Sequence, residues 1–71
     1  MLTPEQFGAA IKSARKAQGM RQDQLAGAAG VGVRFIVDLE AGKSSTQLGK
    51  AFAVASALGL TLSISGPGTK R

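Results

Sequence analysis

Residues 22–41 read Gln22-Asp23-Gln24-Leu25-Ala26-Gly27-Ala28-Ala29-Gly30-Val31-Gly32-Val33-Arg34-Phe35-Ile36-Val37-Asp38-Leu39-Glu40-Ala41, and their spacing decides the fold. Counted from Gln22, the fifth residue is Ala26, the ninth Gly30, the fifteenth Ile36 and the eighteenth Leu39. A small residue at the fifth place lets two helices cross closely, where a larger side chain would push them apart. A glycine at the ninth takes positive φ in a tight turn at little steric cost. Leu25, Val31, Ile36 and Leu39 lock the second helix onto the first. The stretch predicts two short helices, at about 22–28 and 33–40, broken at Gly30.

Upstream, Thr3-Pro4-Glu5-Gln6 is a helix start. Thr3 caps, Pro4 sits where its missing N–H is harmless, and Gln6 completes a capping box. Phe7, Ala10, Ile11 and Ala14 follow at helical spacing, and Gly19 ends a helix over about 4–18. Downstream, Ala41-Gly42-Lys43 closes the third helix, and Ser44, Ser45 and Thr46 are candidate caps for a fourth. Its apolar stripe is read as Leu48, Ala51, Phe52, Ala55 and Leu58, with Gly59 just past its end. The period then changes. Leu60-Thr61-Leu62-Ser63-Ile64-Ser65 alternates apolar and polar residues, the pattern of a half-buried strand. Gly66-Pro67-Gly68 stops it, and residues 66–71 read as a frayed, flexible tail.

A lone strand in a helical domain leaves an open edge of N–H and C=O groups. One solution is a two-stranded antiparallel ribbon with a second copy about a two-fold axis, placing Leu60, Leu62 and Ile64 in a dimer contact. The other is a strand folded back on its own helices. The expected fold is mainly α: four or five helices over residues 1–59, then a dimerisation strand over 60–65.

Composition narrows the function. The 71 residues suit one small domain. Twelve are Ala and ten Gly, so nearly a third of the chain carries almost no side chain. A chain this short buries only about 60% of its unfolded surface, so marginal stability and oligomerisation are both expected. There is no Cys and no His, which excludes disulfides, Cys-based zinc sites and the commonest general base. No metal or cofactor is expected. The four carboxylates do not assemble a nucleophile–base pair, so the chain is not read as an enzyme. Nine Lys/Arg give a net charge of +5, which favours an anionic partner. Met1–Gln6 lacks the basic start of a signal peptide, and no apolar run approaches the ~20 residues that span a bilayer. A cytoplasmic protein with no membrane partner is expected.

The arrangement resembles the Cro/phage-repressor (XRE) family of helix-turn-helix proteins over about residues 7–59. The matching residues are Arg15, Gly19-Met20-Arg21-Gln22, Leu25-Ala26, Gly30-Val31, Ile36, Leu39-Glu40-Ala41-Gly42-Lys43 and Ala57-Leu58-Gly59. The run Gly32–Glu40 and the trailing Leu-Gly-Leu-Thr-Leu look more narrowly like HipB-type antitoxins. The resemblance implies a homodimer whose C-terminal strands pair, and which reads a palindromic operator on double-stranded DNA. It further implies repression of its own operon and a HipA-like kinase toxin as partner. It also implies a salt bridge between Arg15 and Glu40, tying the first helix to the end of the third. Two positions depart from the family pattern. Gly32 stands where a polar residue usually caps the recognition helix, and Arg21 where a Thr often precedes the Gln.

The recognition helix enters the major groove with its N-terminal residues nearest the bases. With Ile36 and Leu39 facing the core, Val33, Arg34, Val37 and Asp38 point outward. Arg34 matches the O6/N7 edge of guanine, or clamps a phosphate. Val33 and Val37 contact a thymine methyl, or pack in part against the protein. Asp38 orients Arg34 one turn away, or accepts from cytosine N4. Phe35 reads as edge-of-core packing. Gln22 and the helix start beside it suit a phosphate, and Arg21 and Lys43 flank the groove-facing helix as further phosphate partners. Gly32 completes the DNA-binding set; Lys12, Lys16 and Lys50 read as a solvated face. Besides an operon-autoregulating antitoxin, a stand-alone repressor and an adaptor for an acidic protein remain open.

Overall fold

The computed structural model describes residues 3–43 and 47–61. Among them run four helices: α1 (Pro4–Ala17), α2 (Gln22–Ala29), α3 (Val33–Glu40) and α4 (Leu48–Ala57). The expected strand at 60–65 lies outside the described residues, apart from Leu60 and Thr61, which have no regular structure. Leu62 and Ile64 and the tail at 66–71 also lie outside them, as do the candidate caps Ser44, Ser45 and Thr46. The residue capping α4 is Gln47.

Local chemistry sets the helix ends. Thr3 Oγ1 accepts from the Gln6 N–H at 3.1 Å, and Gln6 Oε1 accepts from the Thr3 N–H at 3.0 Å. That reciprocal box satisfies two otherwise orphaned donors at the head of α1. At the other end, all four helices close alike, on a glycine at positive φ. After α2, Gly30 has φ 74°, and the Val31 N–H reaches back to the Ala26 carbonyl at 3.0 Å. This backward bond satisfies a terminal carbonyl and turns the chain sharply toward α3.

The core is small. Ile11, Leu25, Ile36 and Val54 are fully buried, and Ala26, Leu39, Ala51, Ala55 and Leu58 join them. The packing runs α1 on α3, α3 on α2 and α2 on α4. Two expectations for the apolar faces need correction. Ala10 is exposed; α1 buries Gly8, Ile11 and Arg15, a stripe centred one position further along the chain, with Phe7 and Ala14 half-buried beside it. On α4, Leu48 and Phe52 are exposed, and Val54 is buried in their place. Nearly every residue of α4 is apolar or small, so periodicity alone does not choose a face. The face that packs is Ala51, Val54, Ala55 and Leu58, a stripe slim enough for close approach.

Among the described glycines, Gly8 makes the closest approach to another element. A Cβ there would drive into the carbonyl oxygen of Leu39, with the Glu40 carbonyl oxygen also only 3.1 Å away. The α1–α3 contact therefore requires glycine for space, not for conformation. Gly27, in the middle of α2, has open space around it. Gly8→Ala is expected to destabilise by about 1–3 kcal/mol through forced separation of α1 and α3. Gly27→Ala is expected to stabilise by about 0.5–1 kcal/mol by lowering backbone entropy in the unfolded chain. Thermal melts of the two variants should shift in opposite directions; shifts of the same sign would remove the close approach at Gly8.

Candidate nucleic-acid interface

Helices α2 and α3 are joined by Gly30, Val31 and Gly32. Ile36 and Leu39 bury the inner face of α3, which turns the other face to solvent. On that face Val33 is 48% and Val37 40% exposed, too open for either to be a core residue. Arg34 stands between them with its side chain 83% exposed. Phe35 is half-buried against the core, with Lys50 Nζ 5.9 Å from its ring centroid. Gly32 precedes α3 in extended backbone, with no side-chain cap and open space where a Cβ would stand.

The charges around this face are paired. Arg34 Nε lies 3.5 Å from Asp38 Oδ1, one helical turn along, and Lys43 Nζ lies 3.7 Å from the same oxygen. Arg21 Nε donates to Asp23 Oδ1 at 3.1 Å. That hydrogen bond holds the Asp23 carboxyl below its ordinary range. Arg21 caps α2 through its backbone: its N–H donates to Gln24 Oε1 at 2.7 Å. The link from Asp38 to Arg34 has the i, i+4 signature visible in sequence. Those of Lys43 and Arg21 do not. Lys43 lies past the turn that ends α3, and Asp23 only two residues from Arg21.

A second cluster, buried, holds the interface in place. Arg15 Nε and Nη2 donate to the two oxygens of Glu40, at 2.7 and 3.1 Å. Arg15 Nη1 donates to the Met20 carbonyl at 2.8 Å. Gln22 Nε2 donates to Glu40 Oε1 at 3.1 Å. The side chains of Arg15 and Glu40 are only 10% and 4% exposed. One carboxylate thus joins α1, the first residue of α2 and the last of α3. The Gln22 amide turns inward to this cluster, so what the start of α2 offers a phosphate is its backbone N–H groups. The link between Gln22 and Glu40 has no periodic signal, because it forms only once the helices are packed. Burial alone would raise the Glu40 carboxyl. The hydrogen bonds from Arg15 and Gln22 and the charges of Arg15 and Lys12 outweigh burial and hold it below its usual 4.5. The bond to Glu40 likewise raises Arg15.

A helix-turn-helix family profile matches residues 11–64. The chain belongs to this family, in its XRE form. It is 54% identical over 69 residues to an uncharacterized HTH-type transcriptional regulator of Sinorhizobium fredii, covering 97% of this chain and 91% of the relative. Two similar solved structures are a HipA-HipB-O2-O3 complex and a HipB-O4 20mer complex. Each aligns with a TM-score of 0.84 at 25% identity, over 94% of both chains. The chain is an XRE-type transcriptional regulator with HipB-like structural neighbours, and DNA binding follows from its helix-turn-helix domain. Among the described residues no helix is long and apolar enough to cross a membrane.

Glu40→Ala leaves the Arg15 guanidinium buried without its partner, which costs about 3–5 kcal/mol. Glu5→Ala, on the exposed start of α1, should change stability by no more than about 0.5 kcal/mol. Equal melting shifts would remove the bridge as a structural tie. The pH dependence has a definite sign. Glu40 is depressed in the folded chain, so its contribution is full above the unfolded pKa and lost as pH falls through the folded one. Wild-type stability should therefore fall on acidification below about pH 4.5. Glu40→Gln should melt lower at pH 7 but lose less on acidification, as followed by circular dichroism.

Proposed function

We propose that this chain is a dimeric, sequence-specific repressor and the antitoxin of a HipBA-like pair. In this reading residues 1–59 bind DNA and residues 60–65 form the dimer strand, with Leu60, Leu62 and Ile64 in the contact. Residues 66–71 are a flexible tail. The observation that carries the DNA-binding reading is the outer face of α3, where Arg34 is extended and exposed between two half-exposed valines. The guanidinium matches G O6/N7, and the valines suit thymine methyls. Arg21, Lys43 and the backbone N–H groups at the start of α2 set register on phosphates. Gly32 has no packing reason to be glycine, and its bare backbone lets the head of α3 come close to the duplex.

The dimer is supported by the apolar side chains that one copy leaves in water. Leu48, Phe52 and Leu60 are all exposed. A second copy related by a two-fold axis would cover such side chains and pair the 60–65 strands. The two recognition helices then lie about 34 Å apart, one duplex turn, and read a palindrome. Occlusion of the promoter gives autoregulation. The neighbour in which HipB is complexed with HipA supports the further assignment of a HipA-like kinase toxin as partner. The protein is read as cytoplasmic, nucleoid-associated when bound to DNA. A kinase-like reading frame adjoining this one is expected.

The test begins with selection of tight-binding duplexes from a randomised library by the full chain. The selected sites should be palindromic. Arg34→Ala should flatten the preference at one base pair per half-site, a change of about 1–3 kcal/mol in discrimination. Lys43→Ala should weaken all sequences alike and lower the salt slope by about one. If Arg34→Ala weakened every sequence equally, Arg34 would be a phosphate clamp instead. A strict monomer in solution at micromolar concentration would remove the dimer strand.

A further inference from the structure

The carboxylates of this chain are few and oddly placed. It has four in all against nine cations. Glu40 is committed to Arg15 inside the fold, and Glu5 sits at the head of α1. The remaining two, Asp23 and Asp38, lie among the cations of the groove-facing surface. Asp38 is within ion-pair distance of both Arg34 and Lys43, and Asp23 of Arg21. A surface built only to hold DNA phosphates would exclude both, since each repels the duplex.

We propose that Asp38, seconded by Asp23, is a specificity-determining residue that suppresses binding to DNA lacking the operator sequence. The inference rests on the DNA-reading role proposed above for α3. Asp38 engages Arg34 through Nε, which leaves the two terminal nitrogens to fork onto a guanine edge. It thereby holds Arg34 in the pose for a base while cancelling the charge that would otherwise draw it to any phosphate. On a non-cognate duplex Arg34 has no base partner, and its pair with Asp38 is electrically neutral. Lys43 shares the same carboxylate, so its pull on phosphates is reduced too. The exposed pairs are individually weak in water. Their effect is felt when a duplex closes over them, because the carboxylate is then pressed toward phosphate with less water between. The suppression of phosphate binding adds nothing to affinity for the correct site; it widens the difference between right and wrong DNA.

The experiment compares wild type, Asp38→Asn and Asp23→Asn by fluorescence anisotropy. The probes are a mixed-sequence 20 bp duplex and the duplex selected by the wild-type chain, each titrated over a range of salt. Asp38→Asn should bind the mixed-sequence duplex about tenfold tighter, with a salt slope steeper by about one, because Arg34 becomes a phosphate ligand and Lys43 keeps its own phosphate without competition. The ratio of selected to mixed affinity should fall. Asp23→Asn should raise mixed-sequence affinity about threefold through the release of Arg21. Unchanged or weaker mixed-sequence binding by Asp38→Asn would overturn the proposal. So would loss of selected binding confined to one base pair, which would make Asp38 a direct reader of cytosine. Should Asp38→Asn melt below the assay temperature, Asp23→Asn decides by the same criterion. A wild-type chain with no preference between the duplexes would sink the repressor reading and this one together; a large preference that Asp38→Asn leaves intact would sink this one alone.

Discussion

The buried contact between Arg15 and Glu40 is the constraint on which the rest of this small fold depends. Helix α3 has eight residues, too few to persist in water alone, and no side chain caps its start. Ile36 and Leu39 hold it against the core, but two aliphatic contacts leave it free to roll. The bidentate bond from Arg15 to Glu40 removes that freedom at its last residue. The same guanidinium holds the Met20 carbonyl, and Gln22 closes the cluster from the head of α2. Such a pair adds little net stability over an apolar one, since both charges are taken out of water. Its contribution is orientation, and the direction in which Arg34 leaves α3 follows from it.

The bridge can form only because the helices lie close, and closeness here is a matter of missing side chains. Gly8 brings α1 against the last carbonyls of α3, where Glu40 begins. The packed face of α4 consists of two alanines, a valine and a leucine. This is why a third of the chain could be Ala and Gly without losing definition. Short reach between backbones replaces bulk within the core. The consequence is a thin hydrophobic reserve, so one misplaced methyl at Gly8 or one orphaned charge at Arg15 weighs heavily on the whole.

What was readable in the sequence follows from the same physics. The helix boundaries were legible because their causes are local: the Thr3–Gln6 box, the glycine after each helix, and the spacing of Ala26, Gly30, Ile36 and Leu39. The buried face of α4 was not, because in a segment almost wholly apolar or small no period stands out. Only packing against α2 selects Val54 over Phe52. Gly8 carries no sequence signal for a related reason. A glycine inside a helix usually weakens it, and its value here lies in the Leu39 carbonyl, far along the chain. The outward set on α3 followed from the helical period once two inward residues were known. The inward turn of Gln22 and the pairing of Lys43 with Asp38 did not, since both arise from packed geometry and neither has a sequence rhythm.

Charge is where the sequence and the structure differ most in meaning. A net +5 suggests a surface that attracts any polyanion. The folded chain distributes that charge unevenly. Arg15 is inside, bound to Glu40. Lys12 and Lys16 are exposed on α1, and Lys50 on α4 reaches the Phe35 ring of α3. Around α3 and the head of α2, three cations face two carboxylates. Each of these three cations thus lies within ion-pair distance of a carboxylate. In the proposed reading, long-range pull from the other lysines would bring a duplex near, while the nearly balanced central face would respond to shape and base edges. On that reading overall charge speaks to encounter, and the pairing of individual charges on α3 to discrimination.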